Sequence, residues 1–244
     1  MLNCFRLMLA LCATVLTFFT PFISALPQTL STRAVAVKIL PLGDSITWGY
    51  QGTEPHSTNG YRKQLKDRLL ASNIATDFVG TVSSGHMLDN QNEGHPGWTI
   101  RQIQNVSGPA LATNPDVVLL HAGTNDLNKA ETQDEPYCGA SARLKSLLAD
   151  VFKAKPDVTV IVAKIILTNK GEVNQRILKY NKEVGEIAKE LRAQGKKIVV
   201  ANQGLVKDGD LGDGIHPNDK GYVHMGNIWY DAFMAARKKG WIKT

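Results

Sequence analysis

Five times along this chain an apolar run gives way to a segment with helical spacing, and this alternation limits the fold more than any other feature. The runs at 39–42, 76–82, 116–121, 158–167 and 197–200 read as strands. The segments 61–71, 98–111, 140–155, 173–193 and 218–238 read as helices. Val117-Val118-Leu119-Leu120 places four apolar residues in succession, the mark of a strand covered on both faces, as parallel sheets require. In the longest helical segment Ile177, Tyr180, Val184, Ile187, Ala188 and Leu191 share one stripe, and Gly195 stops it. The expectation is an α/β domain: a parallel five-stranded sheet with helices on both faces. Residues 83–97, rich in Gly, His and Asn, read as a long polar loop, a length often given over to function. With no internal repeat, low-complexity tract or linker, residues 35–244 read as one domain.

The first residues stand apart. Arg6 precedes an apolar run from Leu7 to Phe22, broken only by Cys12, Thr14, Thr17, Thr20 and Pro21, and Ser24-Ala25 follows. A positive start, an apolar middle and a small-residue exit describe a secretory leader over 1–25, and the run is short and diluted for a bilayer span of ~20 apolar residues. Residues 26–34 read as a loose tail. Loss of the leader removes Cys4 and Cys12 and leaves Cys138 alone, so the domain must stand on its core and not on a disulfide. No basic or histidine-rich neighbourhood marks Cys138 as a nucleophile. Asn105-Val106-Ser107 is a glycosylation sequon, usable in a secreted chain. The formal net charge of +6 is scattered, without a block of like charges, which describes solvated faces and no nucleic-acid motif.

The chemistry sits after the strands. Gly43-Asp44-Ser45 follows the first, and glycine at that point permits a tight exit; alone, the tripeptide also reads as an ordinary turn. Asn125 follows the third strand and His216 the fifth. The carboxyl ends of parallel strands share one edge, so these residues can meet. A serine nucleophile needs a base, and the base needs an orienting acceptor. Asp213 lies three residues before His216, close enough to hold Nδ1 and leave Nε2 for Ser45. Pro217 turns His216 from helical angles and suits the first turn of the following helix. An oxyanion could be met by the Ser45 N–H, the Asn125 side-chain amide and a glycine N–H from Glu93-Gly94-His95-Pro96-Gly97-Trp98-Thr99; Gly97, at the helix entry, is preferred, and Gly94 is the other candidate.

Gly-Asp-Ser at 43–45, the glycine of the 94–97 segment, Gly-Thr-Asn-Asp at 123–126 and Asp-Gly-Ile-His-Pro at 213–217 together resemble the sequence blocks of SGNH (GDSL-type) hydrolases, in that family's order and across nearly the whole chain beyond the leader. Residues 92–100 further resemble carbohydrate esterase family 3, which includes acetyl xylan esterases. The resemblance implies a flavodoxin-like three-layer α/β/α fold and metal-free, cofactor-free ester hydrolysis. By it, Ser45 is nucleophile, His216 base, Asp213 its partner, and Gly97 and Asn125 are oxyanion donors. Ile46 stands where the family's name-giving leucine would be.

Other residues carry plainer alternatives. Asp44 steadies the Ser45 loop, and Asp126 is a similar brace. His121 closes an apolar strand as a hydrogen-bonded support. His95 lines the pocket or caps a helix. Trp48, Tyr50 and Trp98 flank the presumed site, where aromatic faces hold sugar rings or simply pack; Asp44, Trp48, His95 and Trp98 are the substrate-binding candidates. His56, His86 and His224 show no metal-ligand spacing, so no metal is expected. The reading is a secreted serine esterase acting on an acetylated polysaccharide or oligosaccharide, xylan first, as a monomer without nucleic-acid or membrane partners. A lipolytic acyl hydrolase and a catalytically silent carbohydrate-binding protein are the alternatives.

Overall fold

The computed structural model describes residues 36–52 and 58–243; the expected leader, the tail and His56 lie outside the described residues. The strand that organises the sheet is β1 (Val37–Asp44). On one side it pairs in parallel with β5 (Val117–His121), from Ile39 opposite Val117 to Gly43 opposite His121. On its other side two strands share its length. β2 (Thr76–Phe78) pairs with the first half and β4 (Gln91–His95) with the second, Leu42 facing Glu93 and Asp44 facing His95. β6 (Thr159–Lys164) and β7 (Ile198–Asn202) extend the sheet beyond β5, also in parallel. β3 (Val82–Ser83) adds an antiparallel edge to β4. The five expected strands thus stand in the order second, first, third, fourth, fifth, the flavodoxin-like arrangement.

The departure from expectation is the 83–97 segment. It is not all loop: β3 and β4 raise the described sheet to seven strands. Gln-Asn-Glu-Gly-His has no apolar pattern, yet Asn92, Glu93 and Gly94 are buried. They are tolerated because their polar atoms are satisfied. Asn92 Nδ2 donates to Ser84 Oγ at 2.8 Å, and the Glu93 carboxylate accepts from Thr81 N–H at 2.8 Å and from the Thr81 hydroxyl.

Helices α1 (Ser45–Trp48), α2 (Gly60–Ala71), α3 (Ile100–Ala112), α4 (Thr124–Asn128), α5 (Ala140–Ala154), α6 (Gly171–Ala193) and α7 (Asp219–Lys238) complete the described elements that carry the site. The strands' period of two sends alternate residues to opposite faces. Leu40, Leu42, Val118, Leu120, Val160 and Val162 pack under α3, α5 and α6. Ile39, Val117, Leu119, Ile161, Ala163 and Val199 pack with Tyr61, Leu65 and Leu69 of α2 and with Met225, Trp229 and Phe233 of α7. Each fully buried aliphatic chain contributes roughly 1.5–3 kcal/mol, so both layers lock the register of β1 and β5. No helix among the described residues is long and apolar enough to cross a membrane.

Gly43 is needed for a reason other than a tight exit. Its φ is not positive, and the strand continues to Asp44. Instead, a Cβ at Gly43 would stand 2.2 Å from the His121 carbonyl oxygen and 2.4 Å from Thr47 Oγ1. Gly43→Ala is therefore expected to lose about 1–3 kcal/mol in chemical denaturation, the range for overpacked sites. Gly171→Ala, at the exposed start of α6 where nothing lies within 4 Å of the new carbon and φ is not positive, is the control and gains ~0.4–1 kcal/mol.

Candidate active site

Asp44 ends β1 and caps α1: its Oδ1 accepts the Ile46 N–H at 3.0 Å. Ser45 is thereby the first residue of a short helix, at the carboxyl edge of the sheet, and only 5% exposed. His216 arrives from the far end of the chain. Residues 210–218 close on themselves through a bridge between Leu211 and Pro217, an N–H of Gly212 donating to the His216 carbonyl at 2.7 Å, and Asn218 N–H donating to the Asp210 carbonyl at 2.9 Å. Asn218 then caps α7 by accepting the Gly221 N–H at 3.0 Å. Pro217 therefore precedes the cap and takes part in the bridge; it does not occupy the first helical turn.

This loop aims His216 at Ser45 across 171 residues of sequence, with Ser45 Oγ and His216 Nε2 2.8 Å apart. His216 Nδ1 is 2.8 Å from Asp213 Oδ2. An ionised carboxylate only accepts, so Nδ1 carries the proton and Nε2 is free to accept from the serine hydroxyl. Asp213 Oδ1 also accepts the N–H groups of His216 (2.7 Å) and Ile215 (3.0 Å). Partial burial alone would raise the Asp213 carboxyl, but these donors outweigh it and hold the group below the ordinary carboxylate range. Asp213 thus stays ionised when the imidazole becomes charged. The Tyr50 ring meets the His216 ring edge-on, 4.8 Å between centroids at 85°, and restrains its tilt.

Ser45, His216, Asn125, Gly97, Pro96, Trp48 and Tyr50 line one cavity of ≈ 360 Å³. A cavity of ≈ 470 Å³ at the opposite end of the sheet, around Asn114, Asp116 and Trp241, contains none of these residues. Gly94 and Gly97 are separated by geometry. Gly94 lies under α1, where a Cβ would stand 2.4 Å from the Trp48 nitrogen, and its N–H donates to Asn92 Oδ1 at 2.9 Å. Gly97 has φ +80 in a His95-Pro96-Gly97-Trp98 turn closed by Trp98 N–H to the His95 carbonyl at 3.2 Å. Its own N–H meets no acceptor among the described residues. Asn125 Nδ2 donates one hydrogen to the Trp98 carbonyl at 3.0 Å and keeps a second. Ser45, Gly97 and Asn125 can therefore surround a developing oxyanion, and nucleophilic acyl transfer is the chemistry the arrangement supports.

The remaining candidates fall behind this front. His95 does not line the cavity; its Nε2 lies 2.7 Å from Glu93 Oε1 and its ring stacks on Trp98 at 4.2 Å. Burial would raise the Glu93 carboxyl, but the bonds from His95 and Thr81 outweigh it and lower it. Asp44 is fully buried and faces the helix cap, not the cavity. Asp126 accepts the Ile100 N–H and the Arg143 Nε–H, both at 2.9 Å, and so is a brace; burial pushes its carboxyl up against those bonds. His121 is not hydrogen-bonded through its ring: both ring nitrogens are buried without partners, Nδ1 lying 3.9 Å from Asp44. His224 lies 3.4 Å from Asp210, and the His86 N–H donates to Asn59 Oδ1. Cys138 is exposed. Asn105 is exposed on α3, while Ser107 is buried with its hydroxyl donating to the Gln104 carbonyl.

Sequence reasoning missed three contributors. Gly52 lies against Asp213, whose Cγ would be 2.3 Å from a Cβ there. Arg62, fully buried, donates to the carbonyls of Trp48, Ser84 and Asn90, fastening α1 to the 84–90 segment. Lys129 reaches the Gly97 carbonyl. None belongs to a motif; an arginine and a lysine amid helical polar residues give no signal of burial or direction.

The model of the GDSL-like lipase/acylhydrolase family matches residues 42–223. A multidomain esterase of Ruminococcus flavefaciens is 30% identical over 243 residues, covering 86% of this chain and 30% of that protein. An acetylxylan esterase of Xylanibacter ruminicola is 29% identical over 213 residues, covering 79% of this chain and 42% of the other. This chain thus spans less than half the length of both. Among solved structures, a family 3 carbohydrate esterase of Clostridium thermocellum superposes with a TM-score of 0.71 at 32% identity, over 84% of this chain and 99% of the other.

Two outcomes test the geometry. Asp213→Asn should keep the fold by circular dichroism yet slow covalent labelling of Ser45 by a fluorophosphonate about 10³–10⁴-fold, because the imidazole loses its tautomer and its counter-charge. Burial, opposed only in part by Asp44, holds His121 below its ordinary range, so the folded state keeps it neutral. The unfolded chain takes up that proton first, so stability is present above about pH 6.5 and is lost as the pH falls from there. His121→Gln should flatten the decline of Tm with acidification; an unchanged slope assigns it to other groups.

Proposed function

The chain belongs to the GDSL-like lipase/acylhydrolase family, and from that premise we propose that it is a secreted carbohydrate esterase removing O-acetyl groups from plant cell-wall polysaccharide, xylan first, through an acyl-enzyme on Ser45. The observation that carries the reading is the pair of 2.8 Å contacts joining Ser45 to His216 and His216 to Asp213 beside Gly97 and Asn125 in one cavity. Ser45 Oγ attacks the acetyl carbonyl as its proton passes to His216 Nε2. Asp213 stabilises the imidazolium. The oxyanion is met by the N–H groups of Ser45 and Gly97 and by the free amide hydrogen of Asn125, each such donor being worth ~3–4 kcal/mol. On collapse the C–O bond to the sugar breaks, and His216 returns the proton to the departing hydroxyl. A water deprotonated by His216 then releases acetate and restores Ser45.

Support for the acetyl group comes from the cavity and the relatives. At ≈ 360 Å³ it is near the lower end of ligand sites, and it is walled by Trp48, Tyr50 and Pro96. The similar proteins include one named an acetylxylan esterase and a structure named a family 3 carbohydrate esterase. The half-exposed rings of Trp48 and Tyr50 are suited to lie against a sugar. Secretion is supported by the apolar run behind Arg6, and in that setting the exposed Asn105 is the residue a glycan would occupy.

A p-nitrophenyl ester series run beside acetylated xylan tests the reading. The expected outcome is fastest turnover of the acetyl ester, release of acetate from the polymer, and loss of both in Ser45→Ala with an unchanged Tm. A preference for long acyl chains would replace it with the lipolytic reading. Polymer binding without turnover would replace it with the binding-protein reading.

A further inference from the structure

The Gly97 turn is open on its outer side. The one atom within 4 Å of a Cβ built on Gly97 is Lys129 Nζ, at 3.5 Å. That ammonium donates to the Gly97 carbonyl at 2.5 Å and makes no ion pair among the described residues. Its backbone is fixed at both ends: the Lys129 N–H donates to the Asn125 carbonyl at 3.2 Å, and the Lys129 carbonyl accepts the Tyr137 hydroxyl at 2.9 Å. Lys129 therefore follows directly on α4, the helix that carries Asn125.

The neighbouring bonds give this contact its meaning. α4 and the residue after it grip the turn at successive points, with Lys129 on the Gly97 carbonyl, Asn125 on the Trp98 carbonyl and Asp126 on the Ile100 N–H. Two oxyanion donors that come from different loops are thereby held in one frame. A glycine at φ +80, with open space where a side chain would stand except for Lys129, is the soft point of that frame, and Lys129 closes it. Lys129 holds the carbonyl of the Gly97–Trp98 peptide, and so anchors from its carboxyl side the residue whose N–H, in the preceding Pro96–Gly97 peptide, is the oxyanion donor.

We propose that Lys129 is a positioning residue for the oxyanion hole, holding Gly97 through its carbonyl in register with Asn125. This rests on the esterase reading above. Being exposed and bonded only to one carbonyl, Lys129 contributes little to folding, so its removal separates catalysis from stability.

The test compares wild type with Lys129→Met and Lys129→Arg. For p-nitrophenyl acetate, Lys129→Met should lower kcat about tenfold, a fraction of what losing a whole oxyanion donor costs, with KM and Tm essentially unchanged. Phosphylation of Ser45 by diethyl p-nitrophenyl phosphate should slow in parallel, since the phosphoryl oxygen uses the same donors. Lys129→Arg, which keeps the charge and can reach the same carbonyl, should recover most of both rates. Wild-type rates in Lys129→Met, equal losses in both variants, or a Tm that falls in step with kcat would overturn the assignment. Failure of the wild type to turn over acetyl esters would instead strike the esterase reading, and the phosphylation rates would still judge Lys129.

Discussion

The site depends on β1 and β5 lying side by side in one register. Gly43 faces His121, so both strands end at the same level, and the segments that follow them begin as neighbours. Ser45 leaves one and Asn125 the other. The packing tolerates no slip. Every residue of β5 is buried, and a shift by one would turn its residues for one layer toward the other. The close contact at Gly43 leaves no volume for a side chain between the strands, so backbone registration reaches to within two residues of Ser45. His216 is brought in differently, by a loop that bonds to itself before α7 begins. Ser45 and Asn125 are thus held by the sheet, and His216 by a local closure braced against the cap of a helix.

Much of this architecture was legible because burial leaves a periodic trace. The apolar run 117–120 and the stripe on α6 showed which faces meet, while the strand order is the flavodoxin-like one that only the family resemblance implied. What escaped was structure built from polar contacts. β4 is a buried strand written in Gln, Asn, Glu, Gly and His; its burial depends on Thr81, Ser84 and His95 supplying partners, and periodicity does not record partners. The same applies to Arg62, which collects carbonyls from two segments remote from each other in sequence, Trp48 in α1 and the 84–90 segment. In the site, spacing alone linked Asp213 to His216, and the order of strands linked His216 to Ser45. Sequence could place Gly97 in the loop but could not show that Gly94 is occupied with packing beneath α1. Nor could it distinguish the aromatic that touches the base, Tyr50, from those that flank it.

The disposition of charge around the nucleophile completes the account. Carboxylates at 44, 93 and 126 all come close to elements that bear the reacting groups, and a negative oxygen forming on the substrate would be opposed by each of them. The fold weakens that opposition at every one. Asp44 is directed into the cap of α1. Glu93 is surrounded by the donors of Thr81 and His95. Asp126 faces Arg143 and the start of α3, and burial pushes its carboxyl toward the neutral form. The carboxylate directed at the imidazole is Asp213, held ionised by its donors on the far side of the ring, where the charge to be balanced is positive. Negative charge is therefore available to His216 and directed away from the cavity, while the neutral donors of Gly97 and Asn125 line it. A sheet edge that gathered the same residues without this separation would bring the hydroxyl to its base and still resist the intermediate that follows.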